Sequence, residues 1–228
     1  MFPKGLIVSS QALDGNPMLS VEKLVSMAQA AALGGASALR VNGVEVVSEL
    51  SKRVNVPIIG INKVKDDTGR TVITPNFALA KEVADAGADI IAVDAVFYPS
   101  HLKEDLRELI ARIHGLGKLV LADISTAAEA QAAAEAGADA VSTTLAGYVP
   151  GALHSPEELY KPDFALIKEI ADLKLPVTLV AEGRFWRPED VAKAYSLGAE
   201  AVVIGKAITN PMATTKYFVT RIKEEMER

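Results

Sequence analysis

The sequence has no cysteine, no excess of glycine or proline and no long apolar run, and each absence excludes a class of protein. Without cysteine, disulfide scaffolds, thiol catalysis and cysteine metal sites are excluded. The 16 glycines and 11 prolines together stay near the ordinary background, which excludes collagen-like sequence. No apolar run approaches the roughly 18 residues that a membrane span requires.

The chain also has fewer basic than acidic residues, with 24 Lys and Arg against 29 Asp and Glu, which gives a net charge of −5. This balance argues against a nucleic-acid-binding surface but leaves room for a local basic pocket. The apolar run near Met1 is too short for the h-region of a signal peptide, so we expect a cytoplasmic location. Half of the 228 residues are hydrophobic, which predicts one globular domain over residues 1–228.

Short apolar segments alternate with longer segments of helical spacing. Eight strands are predicted, at residues 6–8, 38–41, 57–61, 90–93, 119–122, 140–143, 176–180 and 201–204. Their apolar character on both faces is typical of parallel strands covered by helices. Helical spacing lies between them, most clearly at residues 21–33, 77–86, 127–136 and 188–197. Eight β-then-α units in a chain of this length predict an α/β fold, a single-domain (β/α)8 TIM barrel.

A Gly-Ala pair recurs four times where a predicted helix meets the next strand. The pairs are Gly35-Ala36, Gly87-Ala88, Gly137-Ala138 and Gly198-Ala199. Glycine suits the left-handed position that follows a helix, and alanine permits close packing of helix on sheet. A doubly wound open sheet has such turns too, but rarely eight units so evenly spaced. The last interval is the longest, and residues 147–162 within it are interpreted as an enlarged loop after the sixth strand.

Polar side chains follow the apolar segments, at the end of the barrel where active sites lie. They are Gln11, Arg40, Lys63, Asp94, Asp123, Thr144, Glu182 and Lys206. A single charged residue at a strand end is often only a solvated loop residue. A structural barrel has no need for so many ionisable groups around one mouth, so together they predict an active site in which Thr144 contacts substrate.

The third predicted strand places a lysine above the barrel interior. Side chains alternate between the faces of a strand, so Ile61 and Lys63 share one face. Gly60 on the other face suits close packing against helices, which turns Lys63 inward. Lys65 has the same parity but precedes a turn signal at residues 66–69, so we expect it in the loop. Desolvation disfavours the charged form of an inward lysine, which makes its amine usable as a base.

The ends of the seventh and eighth predicted strands indicate an anionic ligand. Gly183-Arg184 and Gly205-Lys206 place glycines where backbone N–H groups can close on an anion, with a basic residue beside each. Barrels frequently bind phosphate between these two loops. The pattern predicts a phosphorylated substrate. The three histidines show no metal spacing, and no GxGxxG follows the first strand, so neither a metal nor a dinucleotide is expected.

These segments resemble the N-acetylmannosamine-6-phosphate 2-epimerase family nearly end to end. The matching segments are residues 5–13, 34–40, 57–63, 73–75, 122–126, 142–148, 181–184 and 207–209. The resemblance implies a phosphate-binding barrel without cofactor that inverts C2 of an N-acyl-hexosamine 6-phosphate, with that amino sugar as its partner and a homodimer as its assembly. It implies Lys63 as the proton-transfer base and Glu182 as its partner in ring opening, with Gln11, Arg40 and Asp123 contacting the sugar.

Three positions depart from the family. After Asp94 the family has threonine and a basic stretch with proline, where this chain has residues 95–99, Ala-Val-Phe-Tyr-Pro. Asn210 stands where the family has arginine, and Lys206 stands where it has a small residue. Lys206 therefore either replaces the missing phosphate contact or accompanies a different sugar phosphate.

Two other functions remain open from the sequence. The first is another enzyme on the same barrel, namely an isomerase, a decarboxylase or an aldolase acting on a sugar phosphate. An aldolase would form a Schiff base on Lys63. The second is a sugar-phosphate-binding protein without catalysis.

Overall fold

Eight parallel strands close into one barrel in the computed structural model, which describes residues 1–149 and 160–227. These residues form ten strands: β1 (Gly5–Ser10), β2 (Ala38–Asn42), β3 (Ile58–Ile61), β4 (Lys63–Lys65), β5 (Thr71–Ile73), β6 (Ile90–Asp94), β7 (Leu119–Asp123), β8 (Ala140–Ser142), β9 (Thr178–Glu182) and β10 (Ala201–Ile204). The order around the barrel is β1-β10-β9-β8-β7-β6-β3-β2, and β4 and β5 form a separate hairpin. The predicted TIM barrel is confirmed, and the open sheet is excluded.

The helices cover the outside of the barrel. They are α1 (Val21–Leu33), α2 (Val44–Ser51), α3 (Phe77–Asp85), α4 (Leu106–His114), α5 (Ala127–Ala136), α6 (Phe164–Asp172), α7 (Pro188–Ser196), α8 (Lys206–Thr209) and α9 (Pro211–Met226), with a 3-10 turn at Thr143–Leu145. Side-chain hydrogen bonds cap the N-termini of several helices, and α5 has a full capping box between Thr126 and Glu129. The glycines of the Gly-Ala repeat have φ between +98° and +108°, as a left-handed helix end requires.

Two apolar clusters divide the core. The larger packs the outward faces of the strands against the helices, and the smaller fills the barrel interior, where Ile59 and Ile61 lie. A Cβ added to Gly60 would lie 2.7 Å from Cβ of Ala88, so Gly60 faces the helix layer with no room for a side chain. The predicted orientation of this strand is therefore correct.

The structure differs from the sequence interpretation directly after β3. Lys65, expected in a loop, lies in β4, and its side chain is exposed and donates to the Gly69 carbonyl. The turn itself falls where it was predicted, because Asp66 Oδ1 accepts from the backbone N–H groups of Thr68 and Arg70. The hairpin thus carries Lys63 as its first residue. Most of the enlarged loop predicted at 147–162, including His154, lies outside the described residues.

No helix in the described part of the chain is long and apolar enough to cross a membrane. Within residues 1–149 and 160–227, no group of three or more His, Asp and Glu side chains is arranged to hold a metal ion. The two described histidines lie in separate pairs, His101 with Asp67 and His114 with Asp139.

Candidate active site

The mouth of the barrel is built by the alternation of side chains along its strands. In four strands, an apolar residue of the interior cluster is followed two positions later by a polar side chain on the same face, and Ile61 at the end of β3 is followed in the same way by Lys63 at the start of β4. The pairs are Ala38 and Arg40, Ile61 and Lys63, Ala92 and Asp94, Leu121 and Asp123, and Val180 and Glu182. The predicted residues therefore stand together above an apolar floor.

Arg40 and Asp123 form a bidentate ion pair within the barrel mouth. Nη1 and Nη2 of Arg40 donate to the two Asp123 carboxylate oxygens at 2.9 and 2.6 Å, and both side chains are fully buried. Arg40 Nη1 also lies 3.3 Å from Glu182 Oε2. Burial opposes the charge on Arg40, but Asp123 and Glu182 outweigh it and raise the pKa of the guanidinium. Arg40 is therefore a fixed positive charge.

Thr144 joins the two carboxyl groups of the site. Its Oγ1 lies 2.5 Å from Asp123 Oδ1, 2.9 Å from Glu182 Oε2 and 2.8 Å from the Ser142 hydroxyl. Thr144 Oγ1 is the donor to both carboxyl groups, so its one proton serves only one of them at a time. Burial and the Asp123 charge raise the pKa of Glu182, whereas the Arg40 charge and the Thr144 hydrogen bond lower it, and the net shift is upward.

Lys63 enters the mouth from the opposite side. In the order of the barrel, β3 and β9 are four positions apart among eight, so Lys63 faces Glu182 across the opening. Lys63 Nζ donates to Gln11 Oε1 at 2.7 Å, and Gln11 Nε2 donates to the Ser9 hydroxyl at 2.8 Å. Burial lowers the pKa of the Lys63 amine, and the Arg40 charge lowers it further. A neutral amine bonded to Gln11 keeps its lone pair for a substrate proton.

The backbone turns left-handed after β9, whereas α8 begins directly after β10. Gly183 and Arg184 have φ of +111° and +63°, so the backbone turns through two left-handed residues. The Arg184 guanidinium donates to the carbonyls of Lys161 and Ala146, which holds this side chain beside the neighbouring loops. Lys206 begins α8, and its charge lowers the pKa of Lys63. The Lys206 ammonium is therefore within electrostatic reach of the mouth.

Asn210 has a local structural role. Its Oδ1 accepts from the backbone N–H of Ala213 at 3.0 Å and caps α9, whose first residue is Pro211. The sequence interpretation treats this position as one that has lost a positive charge. The cap supplies a separate physical reason for asparagine here.

A second ion-pair cluster at the mouth was missed by the sequence reasoning. Asp94, recognised only as a strand end, pairs with Arg70 Nη2 at 2.7 Å and with Lys103 Nζ at 2.8 Å. The Arg70 guanidinium lies over the Tyr98 ring, 5.2 Å from its centroid. Arg70 sits in the hairpin turn and Lys103 in the loop after β6, where no periodicity indicates which way a side chain points. Only the fold brings them to Asp94.

The chain is similar to one family over most of its length. Residues 24–224 match the family described as "Putative N-acetylmannosamine-6-phosphate epimerase". A protein of Caldanaerobacter subterraneus subsp. tengcongensis, named "Putative N-acetylmannosamine-6-phosphate 2-epimerase", is 44% identical over 96% of this chain and 92% of its own. A protein of the same name from Clostridioides difficile is 42% identical over 96% of each chain. The solved structure of the N-acetylmannosamine-6-phosphate 2-epimerase from Clostridium perfringens superposes with a TM-score of 0.88, at 38% identity over 95% of this chain and 92% of that chain.

The Arg40–Asp123 pair predicts a stability effect. Asp123→Asn keeps the shape of the side chain but leaves the Arg40 charge buried with only the weaker Glu182 contact, so the free energy of unfolding should fall by about 3 kcal/mol. Urea unfolding followed by circular dichroism measures it. Asp85→Asn, which removes an exposed partner of Lys81, is the control and should change stability by less than about 1 kcal/mol. Equal effects of the two substitutions would contradict a stabilising role for the buried pair.

Proposed function

The chain belongs to the N-acetylmannosamine-6-phosphate epimerase family, and we propose that Lys63 and Glu182 carry out its C2 epimerisation as base and acid. The reaction converts N-acetylmannosamine 6-phosphate to N-acetylglucosamine 6-phosphate. One observation carries the proposal: the two side chains face each other across the mouth, with the pKa of the amine lowered and that of the carboxyl raised. Both groups are thereby biased toward the neutral form that acid–base catalysis near neutral pH requires.

Ring opening comes first in this mechanism, because the C2 hydrogen of the closed sugar is not acidic enough to remove. Glu182 gives its proton to the ring oxygen, the bond between C1 and the ring oxygen breaks, and the C1 hydroxyl gives its proton to the Glu182 carboxylate, so C1 becomes an aldehyde and Glu182 is an acid again. Thr144 and Arg40 hold the Glu182 carboxyl in place for this step. C2 then lies next to a carbonyl, and its hydrogen becomes acidic.

Lys63 removes the C2 proton, and the electron pair moves into the C1–C2 bond to give an enolate. Arg40 supplies fixed positive charge near the site where that negative charge develops. Glu182 gives its proton to the opposite face of C2 and inverts the centre. On ring closure the C5 hydroxyl gives its proton to the Glu182 carboxylate and the Lys63 ammonium gives its proton to the C1 oxygen, which restores both groups. No atom is gained or lost overall, and no oxidant takes part.

The phosphate of the substrate is proposed to lie between the Gly183-Arg184 and Gly205-Lys206 segments. Support comes from the left-handed backbone at Gly183 and from the position of Lys206 at the start of α8. Residues Gly183, Arg184 and Gly205 contribute mainly backbone N–H groups, whereas Lys206 contributes charge. Anchoring the phosphate on this side directs C2 toward Lys63 on the far side. A charged sugar phosphate does not cross a bilayer unaided, which fits a cytoplasmic location.

The assembly we propose is a homodimer through α9. One stripe of this helix exposes apolar side chains, each about half exposed or more: Met212, Phe218, Val219, Ile222 and Met226. On its other side, Tyr217 stacks on Trp186 at 4.7 Å and fixes the helix to the barrel. A second copy offers the same apolar stripe, and a two-fold axis lets two such stripes cover each other.

Lys63→Ala should abolish epimerisation and exchange of the C2 hydrogen, because the lost base contributes at least 10²–10⁴-fold. Proton NMR of N-acetylmannosamine 6-phosphate in deuterated buffer measures both. Lys65→Ala, on the exposed side of the same hairpin, is the matched control and should retain full activity. Retained activity in Lys63→Ala would refute the assignment. Trapping of a substrate adduct on Lys63 by borohydride would favour Schiff-base chemistry instead.

Lys206→Ala should raise KM for the sugar phosphate more than it lowers kcat, as expected when a charge-assisted phosphate contact is lost. The same substitution removes a positive charge that lowers the pKa of Lys63. The base must be neutral, so the acidic limb of the kcat profile should move to higher pH. Steady-state kinetics from pH 6 to 9 measure both effects. An unchanged KM would favour the alternative in which the enzyme acts on a different sugar phosphate.

Ile222→Lys should shift the protein from dimer to monomer, since it places a charge within the apolar stripe of α9. Light scattering coupled to size-exclusion chromatography measures the mass, which should be twice the chain mass for the unmodified protein. Lys223→Ala changes a neighbouring exposed residue and should leave the dimer intact. A monomeric unmodified protein, or a dimeric Ile222→Lys variant, would overturn this interface.

A further inference from the structure

The cluster of Arg70, Asp94 and Lys103 has one positive charge that no carboxylate within the cluster balances. Asp94 is fully buried, and the Arg70 and Lys103 side chains are only 10% and 16% exposed. One carboxylate therefore balances two buried cations. Lys103 has a second acceptor in the Val96 carbonyl, so its ammonium is well satisfied. We therefore assign the unbalanced positive charge to Arg70.

Arg70 also has a buried donor that nothing in the described chain accepts. Nη2 is bonded to Asp94, but Nη1 has no hydrogen-bond partner among residues 1–149 and 160–227. Leaving a buried donor unpaired costs about 1–3 kcal/mol, and more for a charged group. An oxygen atom of a ligand that accepts from Nη1 regains that free energy on binding.

The surroundings of Arg70 belong to the mouth of the barrel. Asp94 follows Ala92 on the inward face of β6 and lies in register with Asp123 on β7. The Tyr98 ring under the Arg70 guanidinium packs against the interior cluster, which also contains Val96. The unpaired donor is therefore bordered by apolar groups of the same loop.

Arg70 and Lys63 lie on the same side of the mouth. The strand β6 is the neighbour of β3, and Lys63 begins the hairpin that carries Arg70 in its turn. This side is opposite to β9, where Gly183 and Arg184 end the strand. A substrate whose phosphate lies at β9 and whose C2 lies at Lys63 directs the substituent of C2 toward Arg70.

We propose that Arg70 determines specificity for the acylamino group, with Nη1 donating to the acyl carbonyl oxygen and Tyr98 and Val96 contacting the acyl methyl. The inference rests on the proposed function, which places C2 beside Lys63. The positive charge left on Arg70 strengthens a hydrogen bond to the partly negative carbonyl oxygen. A single donor nitrogen also suits a single acceptor oxygen.

The experiment compares two ligands that differ at C2. N-acetylglucosamine 6-phosphate has the acyl carbonyl, and 2-deoxyglucose 6-phosphate lacks the whole acylamino group. Calorimetry gives Kd for both with the unmodified protein, Arg70→Met and Lys103→Met. Arg70→Met should weaken binding of the acylated ligand about 10–100-fold, as loss of a hydrogen bond from a charged donor predicts, with KM rising more than kcat falls. Binding of 2-deoxyglucose 6-phosphate should change less than about twofold.

A control variant and a second Arg70 variant separate the loss of the Nη1 donor from the loss of a cation beside Asp94. Lys103→Met removes the other cation on Asp94 and should leave the ratio of the two Kd values unchanged. Arg70→Lys keeps a positive charge beside Asp94 but lacks Nη1, so the preference for the acylated ligand, measured as the ratio of the two Kd values, should fall as it does in Arg70→Met. This variant also tests the inference if Arg70→Met fails to fold.

A ratio that stays unchanged in both Arg70 variants, or one that falls equally in Lys103→Met, would overturn the inference. These outcomes are separate from a failure of the proposed function. An unmodified protein that prefers the acylated ligand but does not epimerise it would refute the C2 chemistry alone. Epimerisation by the unmodified protein with no change in the ratio would refute the role of Arg70 alone.

Discussion

The buried ion pair of Arg40 and Asp123 joins β2 to β7 across the mouth of the barrel. The charges of this pair act on the pKa values of Lys63 and Glu182. Removing both charges from water costs several kcal/mol per ion, which two short hydrogen bonds and the Thr144 hydroxyl offset. The Asp123 charge helps to raise the pKa of Glu182. Because Arg40 stays charged, the amine of Lys63 is biased toward its neutral form.

The same burial acts on the two proposed catalytic groups with opposite effect. Desolvation disfavours a charged amine and a charged carboxylate alike, so it lowers the pKa of Lys63 and raises that of Glu182. The neighbouring charges modify both shifts without reversing them. An amine and a carboxyl group, each with its pKa shifted toward the neutral form, thus face each other at opposite sides of one mouth. An epimerase needs this pair, since the proton leaves one face of the carbon and returns to the other.

Loops contribute charge that the strands do not supply. The segment after Asp94 lacks the basic residues that the family resemblance implies, yet Asp94 is still met by two cations. They come from Arg70 in the hairpin turn and Lys103 farther along the loop. Positive charge at this edge of the mouth is therefore present at different positions of the chain. Conversely, Asn210, where the resemblance implies arginine, is occupied as the cap of α9.

The sequence by itself determined the barrel and the inward direction of Lys63, because alternation along a strand and glycine after a helix are local rules. Gly60 alone fixes which face of β3 meets the helices. Only the tertiary structure decided that Lys63 stands opposite Glu182, since ring closure sets which strands face each other. It also decided that Arg70 reaches Asp94. A turn has no periodicity, so the direction of its side chains depends on contacts with distant parts of the chain.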